Sequence, residues 1–253
     1  MKTIKREMKG VILAGGKGTR LYPLTLVTNK HLLPVYNKPV IYYAIEKMVD
    51  AGINKIMIVT SPHHMEDFVK LLGSGENFKV QNKRGNQIQI VYGIQNEPLG
   101  TAQGLWIAKD YIGDDNCMLY LGDNIIEDDL KKNVNNFNTG AEIFLKKVKN
   151  PKNFGIAEID KKGNVLNIEE KPKNPKSDLA VIGVYLYDNT VFEKFEGIKL
   201  SKRGEYEMSH INNKYIKEGK IKTNILTKEW FDTGSFESLI EAGNYMKNKN
   251  SKK

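Results

Sequence analysis

Through its first half the sequence alternates between short apolar runs rich in β-branched residues and longer stretches with apolar residues every three or four positions. The runs at 10–14, 56–60, 88–92 and 117–121 predict strands, most of them covered on both faces. Helical spacing occupies 40–51, 65–72 and 102–111, and the first stretch stops at Gly52, a residue suited to a helix C-terminus. Strands separated by helices predict a mainly parallel mixed sheet with flanking helices on both faces, a Rossmann-like α/β architecture. In such sheets ligands bind beyond the carboxyl ends of the strands, so the segments just after each strand are where chemistry is expected.

The second half is less regular. Strands are expected at 141–148, 155–159, 165–169 and 181–187, with Lys161-Lys162-Gly163-Asn164 as a hairpin turn. Helices return at about 209–218 and 236–247. With no repeat, low-complexity linker or boundary, the expectation is a single domain over 9–247. Its later strands form a small β-rich lid over one side of the cleft. Residues 1–8 are basic but lack the apolar stretch of a signal peptide, and read as a disordered extension. Residues 248–253 read as a solvated basic tail.

Composition narrows the function classes. Hydrophobic residues are 40% and charged residues 27% of 253, ordinary for a globular protein. No apolar run approaches the roughly 20 residues of a spanning helix. Cys117 is the single cysteine; it excludes an internal disulfide framework, suits a reducing cytoplasm, and sits in an apolar run as a buried structural thiol. The net charge of +9 comes from lysines spread along the whole chain. Neither a basic stripe nor alternating aromatics and cations is present, so nucleic acid is not the expected partner. Part of the surplus favours a polyphosphate ligand.

The strongest local signal is Leu13-Ala14-Gly15-Gly16-Lys17-Gly18-Thr19-Arg20-Leu21, directly after the first strand. Its glycines allow a tight bend that turns backbone N–H groups toward a phosphate chain. Thr19 adds a hydroxyl donor and Arg20 a forked, permanently charged one. The spacing fits neither a P-loop nor the dinucleotide fingerprint, whose third glycine would fall at Leu21. Lys30-His31-Leu32-Leu33-Pro34-Val35 then puts a cation shortly after the loop.

Taken together, these two segments resemble the sugar nucleotidyltransferase family, most closely its glucose-1-phosphate thymidylyltransferase branch. The resemblance runs from Met8 to about Lys247 and includes Leu121-Gly122-Asp123-Asn124, Glu169-Glu170-Lys171-Pro172, Arg203-Gly204-Glu205 and Trp230-Phe231-Asp232-Thr233-Gly234. It implies a nucleotide-diphospho-sugar transferase fold in which the lid covers the sugar side. It also implies that a hexose 1-phosphate attacks the α-phosphate of dTTP or UTP, with Mg²⁺ as cofactor and pyrophosphate as leaving group. A homo-oligomer that needs neither nucleic acid nor membrane is expected, in the cytoplasm.

The resemblance also assigns residues. Leu13, Gly15, Gly16, Gly18, Thr19, Arg20, Gln95, Gly100 and Asp123 would bind the nucleotide, with Gln95 and Gly100 at the base. Gly155, Glu170, Lys171, Val181 and Arg203 would bind the sugar phosphate. Asp123 and Asp232 would hold the metal, since paired carboxylates with phosphate oxygens suit Mg²⁺. The catalytic residues would be Arg20 against the leaving pyrophosphate, Lys30 against the α-phosphoryl charge and Lys171 against the attacking phosphate. The nucleophile is already anionic, so no general base is required; positioning and charge neutralisation carry the reaction.

Departures from the family pattern are few. His31 stands where many thymidylyltransferases carry glutamine, and it can still donate a hydrogen bond. Phe154 replaces a common tyrosine, His210 is expected to pack or cap, and Trp230 is expected to pack behind Asp232. Long forms of the branch continue into further helices that build a regulatory site, so feedback through that site is not expected. A non-catalytic sensor on the same fold is the alternative. It would show losses among Arg20, Lys30, Asp123, Lys171 and Asp232, and all five are present.

Overall fold

The computed structural model describes residues 6–78 and 87–251. The first half contains β1 (Met8–Ala14), β2 (Pro34–Val35), β3 (Lys38–Pro39), α1 (Val40–Asp50), β4 (Lys55–Thr60), α2 (Met65–Leu72) and β5 (Gln89–Ile94). Next come α3 (Thr101–Ile107), α4 (Lys109–Ile112), β6 (Asn116–Leu121), β7 (Asn124–Ile126) and α5 (Lys131–Asn136). The remainder is β8 (Ala141–Lys147), β9 (Gly155–Ile159), β10 (Val165–Glu170), β11 (Leu179–Tyr187), α6 (Met208–Lys217), β12 (Ile221–Ile225), β13 (Trp230–Asp232) and α7 (Phe236–Asn250).

One sheet organises the described residues, in the order β10-β9-β11-β6-β1-β4-β5, with β8 paired to β11 and β12 to β8. β1, β4, β5 and β6 run parallel. β11 is antiparallel to β6, β8 and β9, so it joins the β-rich second half to the parallel half. After β1 the chain builds β4 and β5 on one side, then returns to place β6 on the other. The order therefore reverses between β1 and β6, and a crevice opens beyond their carboxyl ends.

The core explains the expected rhythm. Val11, Ile12 and Ala14 of β1 and Met118, Leu119 and Tyr120 of β6 are fully buried. α1 buries Val40, Ile41, Ala44, Ile45, Met48 and Val49, the stripe that a 3.6-residue period makes of those positions. α7 is fixed at its start by a capping box in which Ser235 and Ser238 exchange backbone-to-side-chain hydrogen bonds.

Differences from the sequence expectations lie mainly at boundaries. The predicted helix over 102–111 divides at Ala108 into α3 and α4. β7, β12 and β13 were not expected; each is only three to five residues long. Residues 7 and 8, expected in an extension over 1–8, instead join the fold: β1 begins at Met8 and the Glu7 carbonyl accepts the Asn116 N–H at 2.9 Å. Residues 1–5 lie outside the described residues. At the other end α7 continues to Asn250 and Lys249 pairs with Glu127, so the helix takes in part of the expected tail. Residues 252–253 lie outside the described residues. No helix among the described residues is long and apolar enough to cross a membrane.

Candidate active site

Two adjoining cavities lie along the crevice and share Asp123, Leu121, Thr101, Arg203 and Glu205. The larger, about 470 Å³, is lined by Leu13 from β1, by Gly15, Gly16, Gly18 and Thr19 just after it, and by Lys30, Gln95 and Gly100. The smaller, about 200 Å³, is lined by Gly155, Glu170 and Val181 from β9, β10 and β11, with Lys171 and Asp232. Every residue nominated from the sequence lines one of the two. Arg20 lines the smaller cavity rather than the larger: its guanidinium lies over Gly234, where a built Cβ would come within 2.5 Å of Nη2.

The glycine loop is held by its neighbours. Gly18 adopts φ 63°, a left-handed turn that glycine accepts without strain, and Thr25 Oγ1 donates to its carbonyl at 2.8 Å. Asn29 ties the following segment to β1. Its Nδ2 donates to the Ala14 carbonyl at 2.9 Å, and its Oδ1 accepts the His31 N–H at 2.9 Å. That anchor sets Lys30 facing the cavity, where its ammonium pairs with the Asp123 carboxylate. Gly122, between β6 and Asp123, packs so closely that a Cβ would meet the Leu13 carbonyl at 3.0 Å and His31 Cδ2 at 2.8 Å.

The two aspartates meet through strand pairing. Asp232 ends β13, opposite Asn124 of β7. Thr233 clamps the junction by donating both N–H and Oγ1 to the Asp123 carbonyl, each at 2.9 Å. Burial, then the charge of Asp123, pushes the Asp232 carboxyl above its ordinary range. Burial also opposes ionisation of Asp123, but the Lys30 ammonium and the hydrogen bond from Asn124 outweigh it and hold that carboxyl low. Two hard-oxygen donors that repel one another suit a divalent cation, which would remove the repulsion. Among the described residues no cluster of three or more His, Cys, Asp or Glu forms a closed metal site. An ion here would therefore draw its other ligands from substrate oxygens and water.

The smaller cavity has its own electrostatics. Arg203 contacts Glu207 and Glu205 at 3.0 Å and Glu170 at 3.5 Å. Burial, then the neighbouring Glu207, pushes Glu170 up to about 7. Lys171 follows with φ 43° and donates its N–H to the Phe154 carbonyl at 3.0 Å. A left-handed non-glycine residue costs on the order of 1 kcal/mol, and such strain gathers at functional sites.

Three features differ from the sequence reading or escaped it. His31 does not offer a donor: Asn29 Oδ1, already accepting the His31 N–H, lies 2.6 Å from Nδ1, so Nδ1 carries the proton. Burial, then Lys30, lowers the ring's pKa to about 3, leaving Nε2 as an acceptor. Trp230 does more than pack. Its Nε1 donates to Asn124 Oδ1 at 2.7 Å while its ring meets Phe154 edge-on at 5.3 Å. Asn124 in turn accepts the Gly183 N–H at 3.2 Å and donates to Asp123 at 3.0 Å, so it links both cavities. The only sign of this in the sequence is the position of Asn124 beside Asp123. Cys117 is fully buried and burial raises its thiol pKa, as a structural role requires.

Known proteins are similar to this chain along nearly its whole length. A glucose-1-phosphate thymidylyltransferase from Neisseria meningitidis is 44% identical over 246 residues, covering 94% of this chain and 82% of that protein. The crystal structure of a Bacillus anthracis protein in complex with sucrose superposes with a TM-score of 0.86 at 44% identity, covering 94% of this chain and 95% of that one. A UDP-glucose pyrophosphorylase bound to UDP-glucose superposes with a TM-score of 0.83 at 25% identity, covering 98% of this chain and 100% of that one. The sequence model of the nucleotidyl transferase family matches residues 9–249, from β1 to the end of α7. The chain belongs to the nucleotidyl transferase family.

Proposed function

We propose that the protein is a glucose-1-phosphate thymidylyltransferase, transferring the thymidylyl group of dTTP to glucose 1-phosphate and releasing pyrophosphate in the presence of Mg²⁺. The observation that carries this reading is the Asp123–Asp232 pair, set where a glycine-loop cavity meets a cavity lined by Glu170, Lys171 and Arg203. Relatives matched over 82% of their own length carry that activity by name.

In this reading the triphosphate lies along the backbone N–H groups of Gly15, Gly16 and Gly18, with the base toward Gln95 and Gly100. Glu170 holds sugar hydroxyls, and Lys171 and Arg203 hold the sugar phosphate. That phosphate is already anionic and attacks the α-phosphorus in line, so the side chains need only orient it and offset charge. Lys30 neutralises charge on the α-phosphoryl group, and Arg20 would reach the leaving pyrophosphate by turning from the smaller cavity, where it lies over Gly234. Asp123 and Asp232 would hold Mg²⁺, which supplies further neutralisation of phosphate charge when bound.

UTP is the second reading, favoured by the superposition on a UDP-glucose-bound pyrophosphorylase. The test is pyrophosphate release with glucose 1-phosphate and Mg²⁺, run with dTTP, UTP, CTP, ATP and GTP. Release with dTTP that disappears in EDTA and in Asp123→Ala supports the proposal. Higher turnover with UTP moves it to uridylyl transfer, and silence with every nucleotide refutes it.

A further inference from the structure

The base-facing wall of the larger cavity contains an amide that cannot turn. The Leu99 backbone N–H, which can only donate, points at the Gln103 side chain 3.0 Å away, so the atom facing it is the carbonyl oxygen Oε1. That oxygen also lies 2.8 Å from the Gln95 amide, which must therefore face it with NH₂. The second hydrogen of that NH₂ reaches the Gly100 carbonyl at 3.2 Å. Both Nε2 hydrogens are spent. Gln95 Oε1 is left facing Gly15, where a built Cβ would come within 2.4 Å of it, and no described residue donates to it.

We propose that Gln103 is a positioning residue for nucleobase choice: by locking Gln95 with its carbonyl oxygen toward the cavity, it selects a pyrimidine that carries a proton on N3. The proposal rests on the reading of the larger cavity as the nucleotide site. Thymine and uracil offer an N3–H donor to this oxygen. Cytosine offers a lone pair, which would leave two buried acceptors facing each other. The device ignores the 5-methyl group and the ribose 2′ position, so it separates dTTP and UTP from CTP without ranking them against each other. Gln103 is well suited to the task because it lies on α3, where a Cβ on the next residue, Gly104, would stand within 2.9 Å of the Leu13 side chain. Its backbone is thus pinned to β1, and only its own amide needs to be held.

The experiment is calorimetric binding of dTTP and CTP to the full chain with Mg²⁺ and no sugar phosphate. The wild type should prefer dTTP by on the order of tenfold or more. Gln103→Met keeps length but removes the acceptor, so the dTTP-to-CTP affinity ratio should fall several-fold. Gln103→Glu still accepts from Leu99 N–H and Gln95 and should keep the ratio. A merely structural role would weaken both nucleotides alike and leave the ratio intact, which would overturn the proposal, as would loss of the ratio in both variants. Should Gln103→Met fail to fold, 3-methylthymidine triphosphate offered to the wild type asks the same question. Binding as tight as dTTP would overturn the acceptor assignment; binding on the order of tenfold weaker supports it. These readouts need no turnover, so an inactive protein with an intact ratio would refute the transferase reading and not this one.

Discussion

The Lys30 ammonium is paired with the Asp123 carboxylate across 93 residues of sequence, and both groups are largely shielded from solvent. This contact stitches the segment after β1 to the end of β6 at the switch point of the sheet. It also places a fixed cation beside two carboxylates, which sets up the first prediction.

Removing the cation should expose the repulsion it offsets. Lys30→Met is expected to destabilise the protein by about 3 kcal/mol, the usual cost of leaving one member of a buried pair alone. Added Mg²⁺ should recover more stability in this variant than in the wild type. Thermal denaturation with and without Mg²⁺ decides it: equal midpoints for variant and wild type would rule out the pairing. Turnover should fall on the order of 10²–10³-fold.

Glu170 should make stability depend on pH. Its folded pKa, raised to about 7 from 4.5 by burial and then Glu207, means that the neutral form is the one the fold prefers. The stabilising share is complete below pH 4.5 and is lost as pH rises through about 7. Glu170→Gln, neutral throughout, should gain on the wild type between pH 5 and pH 8, by on the order of 1–2 kcal/mol once partial solvent screening is allowed for. Denaturant midpoints at the two pH values measure this, and a constant difference would refute it.

His31 should stay neutral across the working range. With its pKa lowered to about 3 by burial and then Lys30, the ring contributes stability above about pH 6.5 that drains away as pH falls toward 3. Ring proton resonances followed by NMR should show no inflection between pH 5 and pH 9 for this histidine. A titration near 6.5 would mean that Nε2 is not the bare acceptor described here.

Trp230→Phe keeps an aromatic ring against Phe154 but removes the donor to Asn124 Oδ1. The expected cost is about 1 kcal/mol of stability. KM for the sugar phosphate should rise while KM for the triphosphate holds, because Trp230 lines only the smaller cavity. Steady-state kinetics with each substrate varied in turn separates these outcomes, and equal rises in both would contradict the division of the crevice.

The parts of the fold and site that could be read before folding rest on local periodicity and close-range chemistry. The apolar runs of β1, β4 and β6 and the stripe of α1 could be read because burial on both faces, or on one helical face, writes a repeat into adjacent residues. The glycine loop was legible for the same reason: it is contiguous, and its backbone chemistry depends on the absence of side chains there. The short strands β7 and β13 carry no such repeat, since at three residues each they exist only because they pair with each other. Tertiary structure alone therefore decided that Asp123 and Asp232 stand together and that Asn124 bridges to Trp230. The donor or acceptor character of His31 and Gln95 was likewise beyond the sequence. A side-chain amide or imidazole has two faces of opposite sense, and which one meets the cavity is fixed by partners such as Asn29 and Gln103 that only folding brings within hydrogen-bond reach.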